Sequence, residues 1–413
     1  MFKTMTASTV NAPDSEGQLP EYPMTRPAGC PFDPSPALKA QQAAGPLHRV
    51  KLADGSTAWL VTRYADQRQV LRDPRVSASP LTPGYPKQTE MTDDEARSAG
   101  FILMDDPEHQ RLRRMVTAPF AVKRVQAMRP GIQKIVDEKI DEILAGPKPV
   151  DLYDTLALHV PSLVICQLLG VPYADHDFFQ AESRKIVDLH NEERRREGMI
   201  ALGGYLYQLL EKKQQDPADD LLSELTAFVG SGEIDLIGAT TTAVLLLFAG
   251  HETTANMIAL GTLALLEHPD QLALLRDADD PALAASATEE LLRYLTIIHI
   301  GSRRAATADI EVAGQVIRAG EGIILPLDLA NRDPEVFENP DELDLRRTFR
   351  NHLAFSFGPH QCLGLPLARL ELEVVFGTLF KRIPGLRLAT TPDTIAFKEA
   401  GAVYGVTALP VTW

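Results

Sequence analysis

The sequence predicts one large, mainly α domain with a minor β portion near both ends of the chain. Apolar residues recur with helical spacing over most of the 413 residues. A segment that alternates around Asp54-Gly55 carries the turn residues of a β-hairpin. No Gly/Ser linker, internal repeat or low-complexity tract divides the chain, and its 45% apolar and 23% charged residues suit a globular protein with a sizeable core.

Charge and cysteine content exclude several classes of protein. The formal net charge of −15 disfavours nucleic-acid binding and a polybasic membrane patch. Cys30, Cys166 and Cys362 are odd in number and far apart, so they predict neither a disulfide framework nor a zinc site. Residues 1–20 are polar and predict a disordered segment without a signal peptide or membrane anchor. A cytoplasmic protein is therefore expected.

Helical periodicity dominates after the hairpin at residues 50–61. The predicted helices lie at residues 65–71, 107–117, 125–144, 152–169, 175–213, 236–266, 269–276 and 283–295, and a last helix follows Cys362. Strand-like segments at 310–317 and 386–411 supply the rest of the β portion. Residues 331–349 are irregular and rich in Pro and Asp, and a segment of this length needs a structural reason.

The longest apolar stretch, residues 236–266, carries a Gly-His-Glu-Thr-Thr sequence near its middle. A charge there is costly in a bilayer, so the stretch predicts a buried helix of a globular protein. Gly250 weakens the helix, and Thr253 can donate its hydroxyl to a carbonyl one turn earlier. Core packing explains Thr254 well but a buried Glu252 poorly, because burying a carboxylate is costly. Glu252 and Thr253 are therefore a candidate proton path.

The segment Phe355-Ser-Phe-Gly-Pro-His-Gln-Cys-Leu-Gly364 places Cys362 behind a loop broken by Gly and Pro. Pro366 is tolerated in a first helical turn, so Cys362 is expected at or just before a helix N-terminus. Free N–H groups and the helix dipole stabilise a thiolate there, and a thiolate is a soft metal ligand. Taken alone, Cys362 is more simply a small buried apolar residue, as most free cysteines are.

Three further features mean little individually. His109 and Arg113 share a helix face that can bind an anion, although a solvated basic face is the simpler interpretation. Glu290 and Arg293 form an i, i+3 pair of a kind that is common and weak on surfaces. Arg304 is expected just before the strand at 310–317, as a second possible anion contact.

Taken in chain order, these segments resemble the cytochrome P-450 family. The resemblance spans about residues 22–411 and includes the acid–Thr helix at 249–254, the Glu-x-x-Arg pair, the irregular segment 331–347 and the Cys loop at 355–364. The start of the chain, Tyr22-Pro-Met-Thr-Arg26, is similar to soluble actinobacterial members, which act on secondary metabolites and xenobiotics. The resemblance implies one domain at residues 21–413 with haem b between two buried helices.

The resemblance also implies roles for individual residues. Cys362 would be the thiolate ligand of the haem iron, and Glu252 and Thr253 would deliver protons during oxygen activation. The remaining implied haem contacts are His109, Arg113, Arg304 and His360 at the propionates, together with Phe355 and Gly364. The ion-pair network that holds the Cys loop would consist of Glu290, Arg293 and Arg347.

A hydrophobic substrate pocket is implied on the side of the haem away from Cys362. The residues expected to line it are Val244, Leu247, Phe248, Ile297, Ile298 and Val403. His299 and Lys398 could add polar contacts, although exposure to solvent is the simpler interpretation of Lys398.

One position departs from the family pattern. Ser356 stands where a Gly usually follows the first Phe of the Cys loop. A Cβ is tolerated there if φ is negative, but it could crowd the loop or alter hydrogen bonding near the sulfur. We therefore expect Ser356 to tune the reduction potential.

The implied function is a haem-thiolate monooxygenase that inserts one oxygen atom of O2 into a C–H bond of a hydrophobic small molecule, such as a polyketide, terpenoid or sterol-like compound. The sequence has no dinucleotide fingerprint, so electrons would come from NAD(P)H through a separate ferredoxin reductase and ferredoxin. A local basic patch is available to dock the ferredoxin at Arg111, Arg114, Lys123 and Arg124. A monomer is expected.

Two other functions stay open at this point: a haem-thiolate gas sensor and a peroxygenase. A sensor needs no proton relay, and by the resemblance peroxygenases often lack the acid–Thr pair. Glu252 and Thr253 therefore favour the monooxygenase.

Overall fold

The computed structural model describes residues 19–24, 26, 31–87, 100–186, 191–278, 280–348, 351–398 and 402–413. Cys30 and nearly all of the segment predicted to be disordered, residues 1–20, lie outside these residues. The described helices are α1 (Pro36–Ala44), α2 (Tyr64–Arg72), α3 (Glu108–Thr117), α4 (Val122–Ala127), α5 (Arg129–Ala145), α6 (His159–Leu169), α7 (His176–Ile186), α8 (Glu192–Gln215), α9 (Leu221–Gly230), α10 (Leu236–Glu267), α11 (Pro269–Asp277), α12 (Pro281–Leu295), α13 (Leu327–Ala330) and α14 (Leu365–Arg382).

The described strands are short and few compared with the helices. They are β1 (Leu47–Lys51), β2 (Thr57–Val61), β3 (Val76–Ser77), β4 (Val150–Asp151), β5 (Ser302–Ala306), β6 (Ile310–Val312), β7 (Gln315–Ile317), β8 (Gly322–Leu325), β9 (Arg387–Leu388) and β10 (Pro410–Thr412). The predicted fold class, mainly α with a minor β portion, is confirmed.

The central element is α10, which is apolar on nearly all sides. Every residue from 254 to 265 is buried, as expected for a helix without a polar face. A Cβ on Gly261 would lie 2.4 Å from the ring of Phe376 in α14, so glycine permits the close approach of these two helices. The length and composition of α10 would also allow it to cross a membrane, but 67% of its most apolar window is buried inside the protein.

Several predicted helices are divided in the structure. The segment 125–144 is split into α4 and α5, with Met128 between them and a proline in the first turn of α5. The segment 152–169 begins with a π-helical turn, Tyr153–Ala157, before α6. The segment 175–213 consists of α7 and α8. Helices α1 and α9 were not predicted.

The largest sheet has the strand order β1-β2-β8-β5-β3. Its first two strands form the predicted hairpin, in which Gly55 takes a positive φ of 84°. The central pair, β2 and β8, is parallel, whereas β5 pairs antiparallel with both β8 and β3. Arg304 lies inside β5, and not before a strand as expected, because the sequence analysis did not predict this strand.

The irregular segment 331–348 is packed into the protein, which explains why it has a fixed course without regular structure. Asn331 is 0% exposed and connects two distant parts of the chain. Its amide nitrogen donates to Thr296 Oγ1 at 2.8 Å, and its Oδ1 accepts from the backbone N–H of Leu353 at 2.6 Å. The segment thereby fixes the end of α12 and the start of the Cys loop.

Candidate active site

The Cys loop ends at the first turn of α14, with Gly364 as the N-cap. The backbone N–H of Cys362 donates to the carbonyl of Phe355 at 2.9 Å and closes the loop. Gly358 has a φ of 76°, and a Cβ there would lie 2.5 Å from the carbonyl oxygen of Leu71. A glycine is therefore required at this position, and the loop holds the side chain of Cys362 in the wall of a cavity.

The cavity lies between α10 on one side and the Cys loop with α14 on the other. Phe355 and Gly364 line it next to Cys362. The opposite wall is one stripe of α10 with helical spacing, formed by Leu245, Leu246, Ala249, Gly250, Thr253, Thr254 and Met257. A flat group bound here would have a thiol on one face and an apolar chamber on the other.

The side chain of Cys362 is exposed to the cavity, but the protein packed around it still raises the pKa of the thiol above its usual range, mainly by desolvation. Hydrogen bonds from the backbone N–H groups of Gly364 and Leu365 act in the opposite direction, as do the charges of Arg113 and Arg369. The helix start therefore aids the thiolate, as the sequence analysis expects, but burial has the larger effect. A bound metal cation supplies the missing stabilisation, since coordination deprotonates a thiol outright.

Four basic side chains lie together at one edge of the cavity. The rings of His109 and His360 stack with 4.1 Å between their centres. Arg113 lines the cavity and donates to the carbonyl of Gln361 at 2.6 Å. Burial, followed by the charges of Arg304, His109 and Arg113, lowers the pKa of His360 to about 3.

This basic cluster is incompletely satisfied by the protein. His109 is 2% exposed, and its Nε2 has no hydrogen-bond partner among the described residues. Within those residues neither Arg113 nor Arg304 forms an ion pair with a carboxylate, although burial lowers the pKa of both guanidinium groups. Nδ1 of His109 contacts the more exposed carboxylate of Asp106 at 3.1 Å. Two guanidinium groups without a carboxylate partner, beside an imidazole nitrogen without a hydrogen bond, indicate an anionic ligand. The cluster fits the propionates of a haem, and Cys362 fits its iron.

Thr253 and Glu252 face different parts of the protein. Thr253 lines the cavity and donates its hydroxyl to the carbonyl of Ala249 at 2.7 Å, one turn earlier. Glu252 lies outside the cavity wall and borders a second, smaller cavity with His251. Its Oε1 is 3.6 Å from Nζ of Lys398. Burial raises the pKa of Glu252, and the charge of Lys398 opposes this rise.

The interpretation of Lys398 as an exposed residue is wrong. Its side chain is only 17% exposed because it extends over the ring of Tyr153, 4.4 Å from the ring centre. The other proposed polar contact, His299, packs beside Tyr404 with 5.2 Å between ring centres.

Glu290, Arg293 and Arg347 lie together behind the Cys loop. Arg293 binds both carboxylate oxygens of Glu290 at 2.7 and 2.8 Å, and both side chains are 1% exposed. Arg347 reaches the same carboxylate from the irregular segment at 3.0 Å. The remaining donors of Arg293 bind the carbonyl oxygens of Asn331, Pro340 and Glu342.

The neighbouring carboxylate, Glu289, belongs to a second network. It binds Arg369 of α14 at 2.6 Å and lies 3.3 Å from His352, so it does not pair with Arg293. Burial acts to raise the pKa of Glu289, but His352 and Arg369 lower it to about 2. The carboxylate is therefore more acidic in the folded protein than in the unfolded chain.

We expect Glu289→Gln to lower the free energy of unfolding at neutral pH by roughly 2 to 3 kcal/mol. A depressed folded pKa contributes stability that is present above the unfolded pKa of about 4.3 and is lost as pH falls toward the folded value. The difference between variant and wild type should therefore shrink between pH 4.5 and about pH 2. Urea unfolding of both proteins over this pH range measures the difference in free energy of unfolding.

The control is Glu373→Gln, which removes a more exposed carboxylate of α14, the helix that carries Arg369, and Glu373 pairs with Arg129 at 2.9 Å. Exposed pairs contribute little, so this change should have a small effect that varies little with pH. Equal pH dependence in the two variants would contradict the prediction.

Two of the six residues predicted for the substrate pocket line the cavity. Ile297 and Ile298 line the cavity, but the other predicted members do not. Leu247 and Phe248 border the small cavity near Glu252, and Val244 and Val403 pack against the hydrophobic core. The physical reason is the rotation of α10, which turns Leu245, Leu246 and Ala249 toward the cavity.

Ser356 does not have the negative φ under which a Cβ was expected to be tolerated. Its φ is 60°, in the left-handed region. Its hydroxyl is buried without a hydrogen-bond partner among the described residues, and the residue lines the cavity. The backbone strain and the free hydroxyl therefore coincide at the position that departs from the family pattern.

Glu371 is a site residue that the sequence analysis missed. It is 2% exposed on α14 and lines the cavity, and one of its oxygens has no partner among the described residues. Burial raises its pKa well above the usual range. Its signal in the sequence is a carboxylate at helical spacing within the apolar stripe of Leu367 and Val374.

Several known proteins are similar to this chain in sequence and in fold. Residues 176–383 match the model of the cytochrome P450 family. Cytochrome P450 GfsF of Streptomyces halstedii is 52% identical over 99% of this chain and 100% of its own length. Vitamin D3 dihydroxylase of Streptomyces griseolus is 45% identical, with the same coverage of both chains.

Solved structures of such proteins also superpose closely on this chain. The crystal structure of GfsF superposes with a TM-score of 0.91 and covers 95% of this chain and 100% of its own. That of the mycinamicin VIII C21 methyl hydroxylase MycCI from Micromonospora griseorubida, bound to mycinamicin VIII, superposes with a TM-score of 0.88 at 42% identity and covers 96% of this chain and 100% of its own. This chain therefore belongs to the cytochrome P450 family, as a haem-thiolate monooxygenase with haem b as its cofactor.

Proposed function

We propose that this monooxygenase hydroxylates a C–H bond of a polyketide, terpenoid or sterol-like small molecule. The observation that carries the proposal is the cavity, which has Cys362 on one wall and a mostly apolar chamber on the other. Two relatives support this substrate class, since one is a vitamin D3 dihydroxylase and another is a mycinamicin VIII C21 methyl hydroxylase. A ligand screen for the low-spin to high-spin change of the haem spectrum tests it. If no polyketide, terpenoid or sterol-like compound produced this spectral change, the result would contradict the proposal.

The protein residues would act on either side of the cofactor. Bound haem supplies the oxygen-activating chemistry, and Cys362 would hold its iron while the basic cluster binds its propionates. Leu245, Leu246 and Ile297 would hold the substrate in a chamber that excludes water. Because the Thr253 hydroxyl proton is engaged by Ala249, the hydroxyl oxygen is left to accept a hydrogen bond from the cavity. Thr253 can thereby position a proton donor at the reacting group.

We expect Thr253→Ala to lose most product formation and to release hydrogen peroxide. Proton transfer by a positioned group contributes about 10²–10⁴-fold to a rate, and this variant removes the positioning hydroxyl. The measurement is product and peroxide formed per NADPH consumed, with ferredoxin and ferredoxin reductase supplied.

Thr253→Ser keeps the hydroxyl and is the matched control, so it should retain coupling. Product formation with peroxide alone, unaffected by Thr253→Ala, would identify a peroxygenase. Carbon monoxide binding without any turnover would identify a sensor.

Electrons would come from NAD(P)H through ferredoxin reductase and ferredoxin. The basic docking patch is weaker than its sequence indicates, because most of its charges are paired. Arg111 pairs with Glu108, and the other paired members are Arg114 with Glu233 and Arg124 with Glu224. Lys123 has no carboxylate partner among the described residues and lies on α4, which packs against α14. It is the strongest candidate of the four for ferredoxin docking.

Ser356→Gly is expected to change the reduction potential of the haem and to stabilise the Cys loop. Glycine adopts a φ of 60° without strain, and relief of a left-handed conformation is worth about 1–2 kcal/mol. Loss of the free hydroxyl changes hydrogen bonding near the cofactor. Potentiometric titration and urea unfolding measure the two effects separately.

Ser356→Ala retains the strain but removes the unpaired hydroxyl, so it should change the potential and gain less stability than Ser356→Gly. An unchanged potential in both variants would remove the tuning role. As a further part of the proposal, the enzyme is a cytoplasmic monomer with one domain at residues 21–413.

A further inference from the structure

A buried polar cluster surrounds Glu252 outside the wall of the haem cavity. Nζ of Lys398 lies 2.6 Å from the hydroxyl of Tyr153, 3.2 Å from Oδ1 of Asn256 and 3.6 Å from Oε1 of Glu252. An ammonium group has three N–H donors, and two of them have a neutral acceptor within hydrogen-bond distance. The lysine is thus held by two neutral oxygens while its charge acts on Glu252.

The C-terminal segment delivers Lys398 to this position with little freedom. The backbone N–H of Lys398 donates to the carbonyl of Gly405 at 2.8 Å, and a β-bridge joins Phe397 to Val406. A Cβ on Gly405 would lie 1.8 Å from Oδ1 of Asn256, so only glycine permits the segment to lie this close to α10. The position of Lys398 is therefore fixed by the backbone.

Glu252 itself is held less tightly than Lys398. The 3.6 Å separation is too long for a hydrogen bond, so the carboxylate is attracted by the lysine charge but not locked to it. The small cavity beside Glu252, bordered by Ser183 and Ile186 of α7, has a volume of about 10 Å³, which is about enough for one water molecule. The carboxylate therefore has a charge on one side and space on another.

The other groups around Glu252 are neutral or paired elsewhere. His251 contacts the carbonyl of Leu158 at 3.2 Å, and Glu182 on the facing helix α7 pairs with Lys185 at 2.9 Å. Tyr153 shares Lys398 from the π-helical turn. Among the described residues, Lys398 is therefore the cation that forms an ion pair with Glu252.

We propose that Lys398 is a positioning residue for oxygen activation. Its charge holds the Glu252 carboxylate away from the haem cavity until Glu252 moves away from Lys398 to deliver a proton. The inference rests on the proposed relay role of Glu252. In each cycle Glu252 takes a proton from the solvent side, releases it toward the Thr253 side of α10 and returns to Lys398 as a carboxylate. Lys398 keeps its proton throughout.

The test is Lys398→Met, which removes the charge and keeps the length of the side chain. Without the cation, burial of Glu252 is opposed by its hydrogen bond with Asn256 but no longer by a charge, so the pH at which Glu252 is half protonated should rise. Infrared difference spectra of the holoenzyme should then show a new protonated-carboxyl band at neutral pH. This band should be absent from wild type, Lys398→Arg and the Lys398→Met/Glu252→Gln double variant.

Turnover supplies the second measurement. The solvent isotope effect on product formation should change in Lys398→Met and be restored in Lys398→Arg, which a purely structural role would not produce. If Lys398→Met does not bind haem, Tyr153→Phe replaces it, since this change removes one of the acceptors that position Nζ. It should move the carboxyl band and the isotope effect in the same direction by a smaller amount.

The outcomes separate this inference from the relay on which it rests. If Glu252→Gln leaves coupling unchanged, both the relay and the role of Lys398 are wrong. If Glu252→Gln uncouples the enzyme but Lys398→Met and Tyr153→Phe leave the carboxyl band and the isotope effect as in wild type, only the role of Lys398 is wrong.

Discussion

Cys362→Ala is expected to abolish oxidation activity and the thiolate-type spectrum of the reduced carbon monoxide complex. Among the described residues it is the cysteine whose side chain lines the cavity, and its loop is closed by the hydrogen bond from its own N–H to Phe355. Alanine keeps this backbone bond and removes only the sulfur, so the loop should retain its shape. The spectrum of the haem–carbon monoxide complex reports the axial ligand directly.

Cys166→Ala is the matched control for Cys362→Ala. Cys166 is 6% exposed on α6 and does not line the cavity. Burial raises its pKa to about 12, so it remains a neutral thiol. The control should keep the thiolate spectrum and turnover. A thiolate spectrum that survives in Cys362→Ala would show that another residue binds the iron.

The parts of the site that could be predicted from sequence are those whose chemistry is local. Thr253 and its carbonyl acceptor are one helical turn apart, so spacing alone predicts that bond. The pair of Glu290 and Arg293 is likewise local, at i, i+3. Cys362 precedes a helix start that can be recognised from Pro366 and the apolar run behind it.

The parts that could not be predicted depend on rotation, backbone conformation and contacts between distant segments. Because α10 is apolar on almost every side, periodicity does not indicate which side faces the cavity, and the predicted residues Val244, Leu247 and Phe248 do not line it. The φ of Ser356 is set by the closed loop around it. Lys398 meets Glu252 across 146 positions of the chain, and no local pattern marks either residue for the other.

Arg293→Met is expected to lower the free energy of unfolding by at least about 3 kcal/mol, because it removes one partner of a buried ion pair. Arg293 is 1% exposed, and it binds both oxygens of Glu290 as well as the carbonyl oxygens of Asn331, Pro340 and Glu342. Methionine fills much of the same space but donates no hydrogen bond. The carbonyl oxygens of Asn331 and Pro340 would then lose their guanidinium donor, and Glu290 would keep only Arg347 and the backbone N–H of Asp344. Each acceptor left unpaired costs about 1–3 kcal/mol if it stays buried.

Arg347→Met is the matched control for Arg293→Met, since Arg347 binds the same carboxylate from a side chain that is 11% exposed. Its loss leaves the two short bonds between Arg293 and Glu290 in place, so the destabilisation should be clearly smaller. Urea unfolding followed by far-ultraviolet circular dichroism measures both variants, with haem content as a second readout of the Cys loop.

Arg293→Lys should not restore stability, because one ammonium group cannot replace a fork of five N–H donors. Equal losses for Arg293→Met and Arg347→Met would mean that the irregular segment is held by its packing around Asn331 and not by Arg293. A larger loss for Arg293→Met, with haem lost in parallel, would instead locate the support of the Cys loop in one buried guanidinium group on α12.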